Sequence, residues 1–191
     1  MRIGIISDVH GDLDALEITL QQLQQHHNVS SILCAGDLVG RGPEQNRVVD
    51  VHRELGIITV RGNHDELYSG LTSENVAYLR GLPLDWQGTI GGTRFYMCHG
   101  KPQNNMWGMY RDHLSETYLN MVLGSLRADV LVTGHTHVPL LMRGKAGIIV
   151  NPGSLFTFVS SRQTSKTYGV LDVPSLKFEW FDSRGSISSS A

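Results

Sequence analysis

Five short apolar runs recur along this chain, and each ends on a turn that carries aspartate, asparagine or histidine. The runs are residues 3–6, 32–35, 57–60, 95–98 and 130–132. They lead into Asp8-Val9-His10, Gly36-Asp37, Gly62-Asn63-His64-Asp65, His99-Gly100 and Gly134-His135-Thr136-His137. A short apolar run bounded by turn residues reads as a buried strand. A strand that stops at such a turn delivers a side chain to one edge of a sheet, where loops on a rigid frame carry function. Five such edges can bring oxygen and nitrogen ligands to one place.

Composition narrows the class. A chain of 191 residues suits one domain with a substantial core. With 40% hydrophobic and 18% charged residues it reads as an ordinary globular protein. A formal net charge of -2 argues against a stable nucleic-acid complex, which needs a basic surface. No apolar run has the length of a membrane span, and residues 1–3 lead straight into a strand pattern instead of a signal peptide. Cys34 and Cys98 fall within expected core strands and read as buried thiols, not a disulfide. A cytoplasmic location is the expectation, and a homo-oligomer stays open.

Strands and helices alternate through the first half. Residues 2–7 read as a strand, followed by a helix with Leu13, Leu16, Leu20 and Leu23 on one face and Asp14 with Glu17 as its start signal. A second unit joins a strand at 31–35 to a helix with Val48, Val51 and Leu55 inward, then a strand at 57–60. This order implies parallel strands. A helix over 75–80 stops before Pro83. Residues 86–90 and 93–98 flank Gly91-Gly92 as a hairpin. Leu114, Tyr118, Met121, Val122 and Leu126 mark one more helix face. Strands are expected at 138–142, 147–150, 167–172 and 176–181, the last two turning at Pro174-Ser175. The elements suit two face-to-face sheets with helices outside, one sheet rich in parallel crossovers and one in hairpins. The domain is expected to span 1–182, with 183–191 a flexible tail poor in groups to bury.

The ligand chemistry follows residue by residue. Asp8 and His10 are two apart, so on a continuing strand they face one side, and His135 and His137, again two apart, offer one imidazole to each ion. The Asp37 carboxylate has two oxygens and can bridge two ions; Asn63 adds a carboxamide oxygen and His99 a further nitrogen. Two divalent ions against two carboxylates and a bridging hydroxide leave a net positive site, suited to an anion. Donors that are all oxygen or nitrogen favour borderline-hard ions such as manganese, iron or zinc over a structural cysteine-zinc site. His26, His27, His52 and His113 lie outside the pattern as surface or packing histidines. Trp107 and Tyr110 either anchor their loop or form a wall of the substrate site.

In this order the motifs resemble the calcineurin-like metallophosphoesterase superfamily. Gly36-Asp37-Leu38-Val39-Gly40-Arg41-Gly42-Pro43 and Asn151-Pro152-Gly153-Ser154 look most like its small bacterial and archaeal phosphodiesterase branch. The resemblance runs from Met1 to about Asp172. It implies an α/β fold, a four-layer α-β-β-α sandwich of two mixed sheets flanked by helices. It implies two divalent metal ions, one held by Asp8, His10, Asp37 and His137, the other by Asp37, Asn63, His99 and His135. The reaction it implies is hydrolysis of a small phosphate ester, a diester first of all, by metal-bound hydroxide with His64 beside the phosphate as general acid. Asp65 orients the His64 ring or completes its turn. Arg41, in a loop between Gly40 and Gly42, offers a planar fork suited to phosphate. Related diadenosine tetraphosphate hydrolases and serine/threonine phosphatases place a phosphate-binding arginine similarly, but carry an aspartate where this chain has Gly40. Alternatives on the same motifs are a phosphomonoesterase, a protein or dinucleotide phosphatase, and a non-catalytic scaffold. Metallo-β-lactamase and amidohydrolase patterns fit poorly, since their His-x-His motifs sit in other contexts.

Overall fold

The computed structural model describes residues 1–157 and 166–183. Among these described residues ten strands and four α-helices follow in the order β1 (Arg2–Ile6), α1 (Leu13–Gln25), β2 (Ser31–Cys34), α2 (Gln45–Glu54), β3 (Ile58–Thr59), α3 (Ser73–Gly81), β4 (Asp85–Ile90), β5 (Thr93–Cys98), α4 (Glu116–Leu126), β6 (Val130–Val132), β7 (Leu140–Gly144), β8 (Gly147–Asn151), β9 (Thr167–Asp172) and β10 (Lys177–Asp182). They form two five-stranded sheets, ordered β10-β9-β1-β2-β3 and β4-β5-β6-β8-β7. In the first, β1, β2 and β3 run parallel; in the second, β5, β6 and β8 do.

Strand alternation sorts the core into three layers. Ile3 and Ile5 of β1, Phe95 and Met97 of β5, and Val130 and Val132 of β6 fill the space between the sheets. Their neighbours face the other way, as period-two geometry requires. Ile6 and Cys34 pack with Leu16, Val48 and Leu79 of α1, α2 and α3. Tyr96, Cys98 and Leu131 pack under Leu119 and Leu123 of α4. The result is the four-layer α-β-β-α sandwich, with three helices outside one sheet and one outside the other.

Several local expectations are corrected. α1 starts at Asp12, whose side chain accepts the N–H of Ala15, while Asp14 and Glu17 lie inside the helix. The chain turns tightly at Val9–Asp12 (Asp12 N–H to the Val9 carbonyl), which brings the cap forward. Leu55 is exposed, and Val48, Val49 and His52 are the buried side of α2. On α4 the buried face is Leu119 and Leu123, with Tyr118 and Met121 exposed. The β7 strand begins at Leu140, since the turn that carries His135 and His137 uses the residues before it. The β9–β10 hairpin does not join a hairpin sheet. β9 pairs antiparallel with β1, Ile3 opposite Leu171, so both sheets are mixed. Ser183 still hydrogen-bonds the Lys166 carbonyl, and the rest of the expected tail lies outside the described residues. Among the described residues no helix is long and apolar enough to cross a membrane.

His52 gives the fold a pH dependence. It is buried, its Nδ1–H donates to the Val48 carbonyl at 2.9 Å, and Nε2 has no hydrogen-bond partner among the described residues. Burial pushes its pKa down from 6.5 to about 4. Between those values the unfolded chain binds a proton that the folded one does not, so stability falls as pH drops through that window. The loss approaches about 3 kcal/mol at its acid end. His52→Leu should flatten that limb of a plot of urea-unfolding free energy against pH; an unchanged slope would remove His52 as its source.

Candidate metal centre

All six parallel strands end on the same side of the molecule, and the motif residues follow them. Asp8 and His10 come after β1, Asp37 after β2, Asn63 and His64 after β3, His99 after β5, and His135 and His137 after β6. The loop after β8 carries Asn151 to Ser154. Asn151 Nδ2 donates to the Gly134 carbonyl at 2.7 Å, and Ser154 Oγ donates to the Asp8 carbonyl at 2.9 Å, so this loop braces two others.

The side chains converge by turns instead of by strand alternation. Asp8, His10, Asp37, His135 and His137 all have positive φ, between 50° and 65°. Asp, Asn and His are the non-glycine residues that most readily take this left-handed conformation, and such strain gathers at functional sites. Asp8 and His10 lie together and His135 and His137 turn to opposite sides of the cluster, aimed by these turns and not by strand alternation.

The seven expected ligands cluster, and five of them fall into two tight groups that could each hold an ion, Asp8 with His10 and His137, and Asp8 with Asp37 and His99. Asp37 Oδ2 lies 3.7 Å from His10 Nε2 and 3.4 Å from His99 Nε2. On the first side, His137 Nε2 is 3.1 Å from Asp8 Oδ1 and 3.2 Å from His10 Nε2. On the second, Asn63 Oδ1 is 3.1 Å from His99 Nε2 and 3.0 Å from His135 Nδ1. Donors bound to one ion at about 2.0–2.2 Å stand about 3 Å apart in adjacent positions, so the spacings fit a metal in each group. The carbonyls of Val39 and Ala35 accept from Nδ1 of His10 and His99 at 3.1 and 2.7 Å. A carbonyl can only accept, so each ring carries its proton there and turns Nε2 into the cluster.

Electrostatics points the same way. Burial alone would raise Asp8 and Asp37, but the surrounding imidazoles hold both carboxyls below their ordinary range. Burial alone would lower His99, yet Asp37 and Asp8 push it up to about 9. Buried negative charge at this point calls for a cation. His10 and His135 are lowered, chiefly by burial, which keeps them as neutral donors.

A further set of hydrogen bonds holds the donors from behind. Ser7 Oγ donates to Asp8 Oδ2 at 2.6 Å, and the His135 N–H reaches the same oxygen at 3.1 Å. Asp65 is fully buried and accepts four backbone N–H groups: Asp37 and Gly62 on Oδ2, at 2.9 and 2.8 Å, and Leu38 and Val39 on Oδ1, at 2.7 and 3.3 Å. It thus completes its own turn and ties that turn to the Asp37 loop; burial and the Asp37 carboxylate push its pKa up to about 7. A Cβ at Gly62 would overlap the Asp37 carboxylate, so only glycine allows this approach. Nothing but the Gly-Asn-His-Asp string itself signalled that bridge.

Around the donors lies an open cleft of about 330 Å³ lined by Asp37, Arg41, Asn63, His64, His135, Thr136 and His137. His64 stands edge-on to His10, ring centres 4.9 Å apart, and its backbone N–H donates to Asp37 Oδ1 at 2.8 Å. Arg41 is exposed at the rim. The other histidines stay outside: His26 and His113 are exposed, and His27 bonds the Tyr168 hydroxyl at 3.0 Å. Cys34 and Cys98 are free buried thiols.

The chain is similar to known proteins over most of its length. The phosphodiesterase YfcE of Escherichia coli K12 is 28% identical over 185 residues, covering 90% of this chain and 88% of its own. A probable metallophosphoesterase of Methanothermobacter thermautotrophicus is 30% identical over 156 residues, covering 81% of this chain and 77% of its own. The crystal structure of a metallophosphoesterase from Sphaerobacter thermophilus superposes with a TM-score of 0.75 at 25% identity, over 100% of this chain and 90% of that one. The family model of the calcineurin-like phosphoesterase superfamily domain matches residues 1–175, and the chain belongs to that superfamily of metal-dependent phosphoric ester hydrolases.

Proposed function

We propose that this protein is a dinuclear metal-dependent phosphodiesterase, one domain over residues 1–182, with Asp8, His10, Asp37 and His137 holding one ion and Asp37, Asn63, His99 and His135 the other. The observation that carries the reading is the position of Asp37 Oδ2, 3.7 Å from His10 Nε2 on one side of the cluster and 3.4 Å from His99 Nε2 on the other. Two such ions supply an activated water and neutralise phosphate charge. The protein's own part is to fix its donors in place before any ion or substrate arrives, with the Asp8 and Asp37 carboxyls kept ionised by the imidazoles around them and His10 and His135 kept neutral by burial. Manganese suits the oxygen and nitrogen donor set, with iron, zinc, nickel or cobalt as alternatives. His64 lines the cleft beside both donor groups and gives a proton to the leaving oxygen. Arg41, at the rim of the same cleft, takes a phosphoryl oxygen with its guanidinium fork.

Substrate class follows from the cleft's surroundings. A monoester dianion calls for positive charge beyond the metals, and among the described residues Arg41 is the one arginine or lysine that lines the cleft. A diester needs room and apolar surface for a second group. Met109 is the loop anchor, buried beside Tyr96 and Cys98. Met106, Trp107 and Tyr110 are exposed, and so is Val138 next to His137. A Cβ at Gly108 would stand 2.6 Å from Thr136 Cγ2, 3.0 Å from His135 Cδ2 and 3.1 Å from Tyr110 Cε2, which sets this loop against the cleft wall. Exposed apolar side chains at a site's mouth mark a binding surface, here for an aryl or base group of a diester.

Three measurements test the reading. Dialysis against a chelator should abolish phosphoesterase activity and manganese should restore it, with Asp37→Ala the most damaging ligand change. Full turnover by protein that elemental analysis shows to be metal-free would overturn the metal mechanism. His64→Ala should keep both metals and lose on the order of 10²–10⁴-fold in kcat on diesters with alkoxide leaving groups, and less with p-nitrophenolate. Equal losses would make His64 a phosphate-positioning group instead. Wild-type kcat/KM should favour a bis-aryl diester over its mono-aryl counterpart, and Trp107→Ala should lower it for the diester. Preference for the monoester would sink the diesterase assignment, and an unchanged mutant rate would remove Trp107 from the substrate wall.

A further inference from the structure

Among the described residues, His64 Nδ1 is buried without a hydrogen-bond partner. A general acid must nevertheless hold one ring orientation, because a small misplacement of a reacting group costs a large factor in rate. Packing has to supply what a hydrogen bond does not. The ring has His10 edge-on to it at 4.9 Å. Gly40 closes the Nδ1 edge: a Cβ there would stand 2.6 Å from Nδ1, 2.9 Å from His64 Cβ and 3.0 Å from Cγ. The Gly40 backbone is therefore the surface on which this part of the ring rests, and its φ of +112° is one that side-chain-bearing residues rarely adopt.

What holds Gly40 in place is a side chain from α2. On its N-terminal side the loop is tied through the Leu38 and Val39 N–H groups to Asp65, and on its C-terminal side through the Gly42 N–H to the His10 carbonyl at 2.5 Å. Between those ties, the Gly40 N–H donates to Gln45 Oε1 at 2.8 Å. Gln45 is itself wedged, since a Cβ at Gly11 would stand 2.9 Å from Gln45 Cγ. This side chain thus braces the loop after β1 against the loop after β2.

We propose that Gln45 is a positioning residue for catalysis, holding the Gly40 backbone against the His64 ring so that the imidazole keeps one orientation without a hydrogen-bonded carboxylate of its own. The inference rests on His64 acting as the acid. Gln45 touches neither metal donor nor substrate in this role; its amide oxygen acts through one backbone N–H and one van der Waals contact.

The test uses the metal-loaded enzyme and two diesters, one with an alkoxide and one with p-nitrophenolate as leaving group. Gln45→Ala should lower kcat by about 10–100-fold on the alkoxide diester and by much less on the nitrophenyl one, with KM and metal content unchanged. Gln45→Glu keeps an acceptor oxygen for the Gly40 N–H and should recover most of the loss. Gly40→Ala, which pushes directly on the ring, should show the same leaving-group dependence as Gln45→Ala. Equal losses on both diesters, metal loss in Gln45→Ala, or no recovery in Gln45→Glu would each overturn the proposal. His64→Ala measured alongside separates the two levels. Leaving-group dependence in His64→Ala without it in Gln45→Ala defeats this inference alone, and its absence from His64→Ala defeats the reading of His64.

Discussion

Two carboxylates, Asp8 and Asp37, are buried at the point where the two sheets' loops meet, and most of the surrounding structure makes that burial tolerable. An isolated buried carboxylate would take up a proton. Here imidazoles stand against both, and backbone N–H groups fill the oxygen positions that the donor groups leave over. Asp8 Oδ2 takes the Ser7 hydroxyl and the His135 N–H, and Asp37 Oδ1 takes the His64 N–H. Each carboxylate is thereby oriented with one oxygen bound to protein and the other presented to the cluster. The same N–H groups belong to the turns that bring in His64 and His135, so charge stabilisation and ligand placement are one set of bonds.

The sandwich follows from where those turns must start. Three parallel strands in each sheet end at one edge, and only face-to-face packing brings the two edges together over a shared layer of Ile, Val and Phe side chains. That much was legible, because apolar runs closing on glycine and ligand residues announce both strand and edge. Finer register was not. Leu55 and Met121 keep helical spacing with the core residues, yet both stay exposed at the ends or flanks of their helices. Amphipathic periodicity does not say where a face stops. The β9–β10 hairpin could not be assigned to a sheet from its turn chemistry, since a hairpin binds itself and shows nothing of its outer neighbour.

The site shows a similar division. Residue types and order singled out seven candidate ligands, and the fold brings their side chains together. The left-handed turns that aim five of them were invisible to a reading by alternation. So was the part played by Asp65, whose four N–H bonds come from two loops far apart in the chain. Gln45 and Ser7 carry no ligand signature at all. Each is an ordinary residue that matters through one hydrogen bond, and only the folded arrangement says which bond that is.

The two thiols show how the sheet's alternation also decides which atoms stay out of the site. Cys34 lies three residues before Asp37, and Cys98 is next to His99. A thiolate at either place would compete for the same ion and favour softer metals. Cys34 instead turns into the layer beneath α1 and α2, and Cys98 into the layer beneath α4. Burial, reinforced by nearby carboxylates, raises both thiols far above their ordinary range, so neither forms a thiolate near neutral pH. A strand's period of two places each sulfur on one face, while the turn that follows brings the oxygen or nitrogen donor back toward the other sheet. The hard donor set of the centre is therefore enforced by register as well as by residue choice. Shifting β5 by one residue would put Cys98 where His99 now stands.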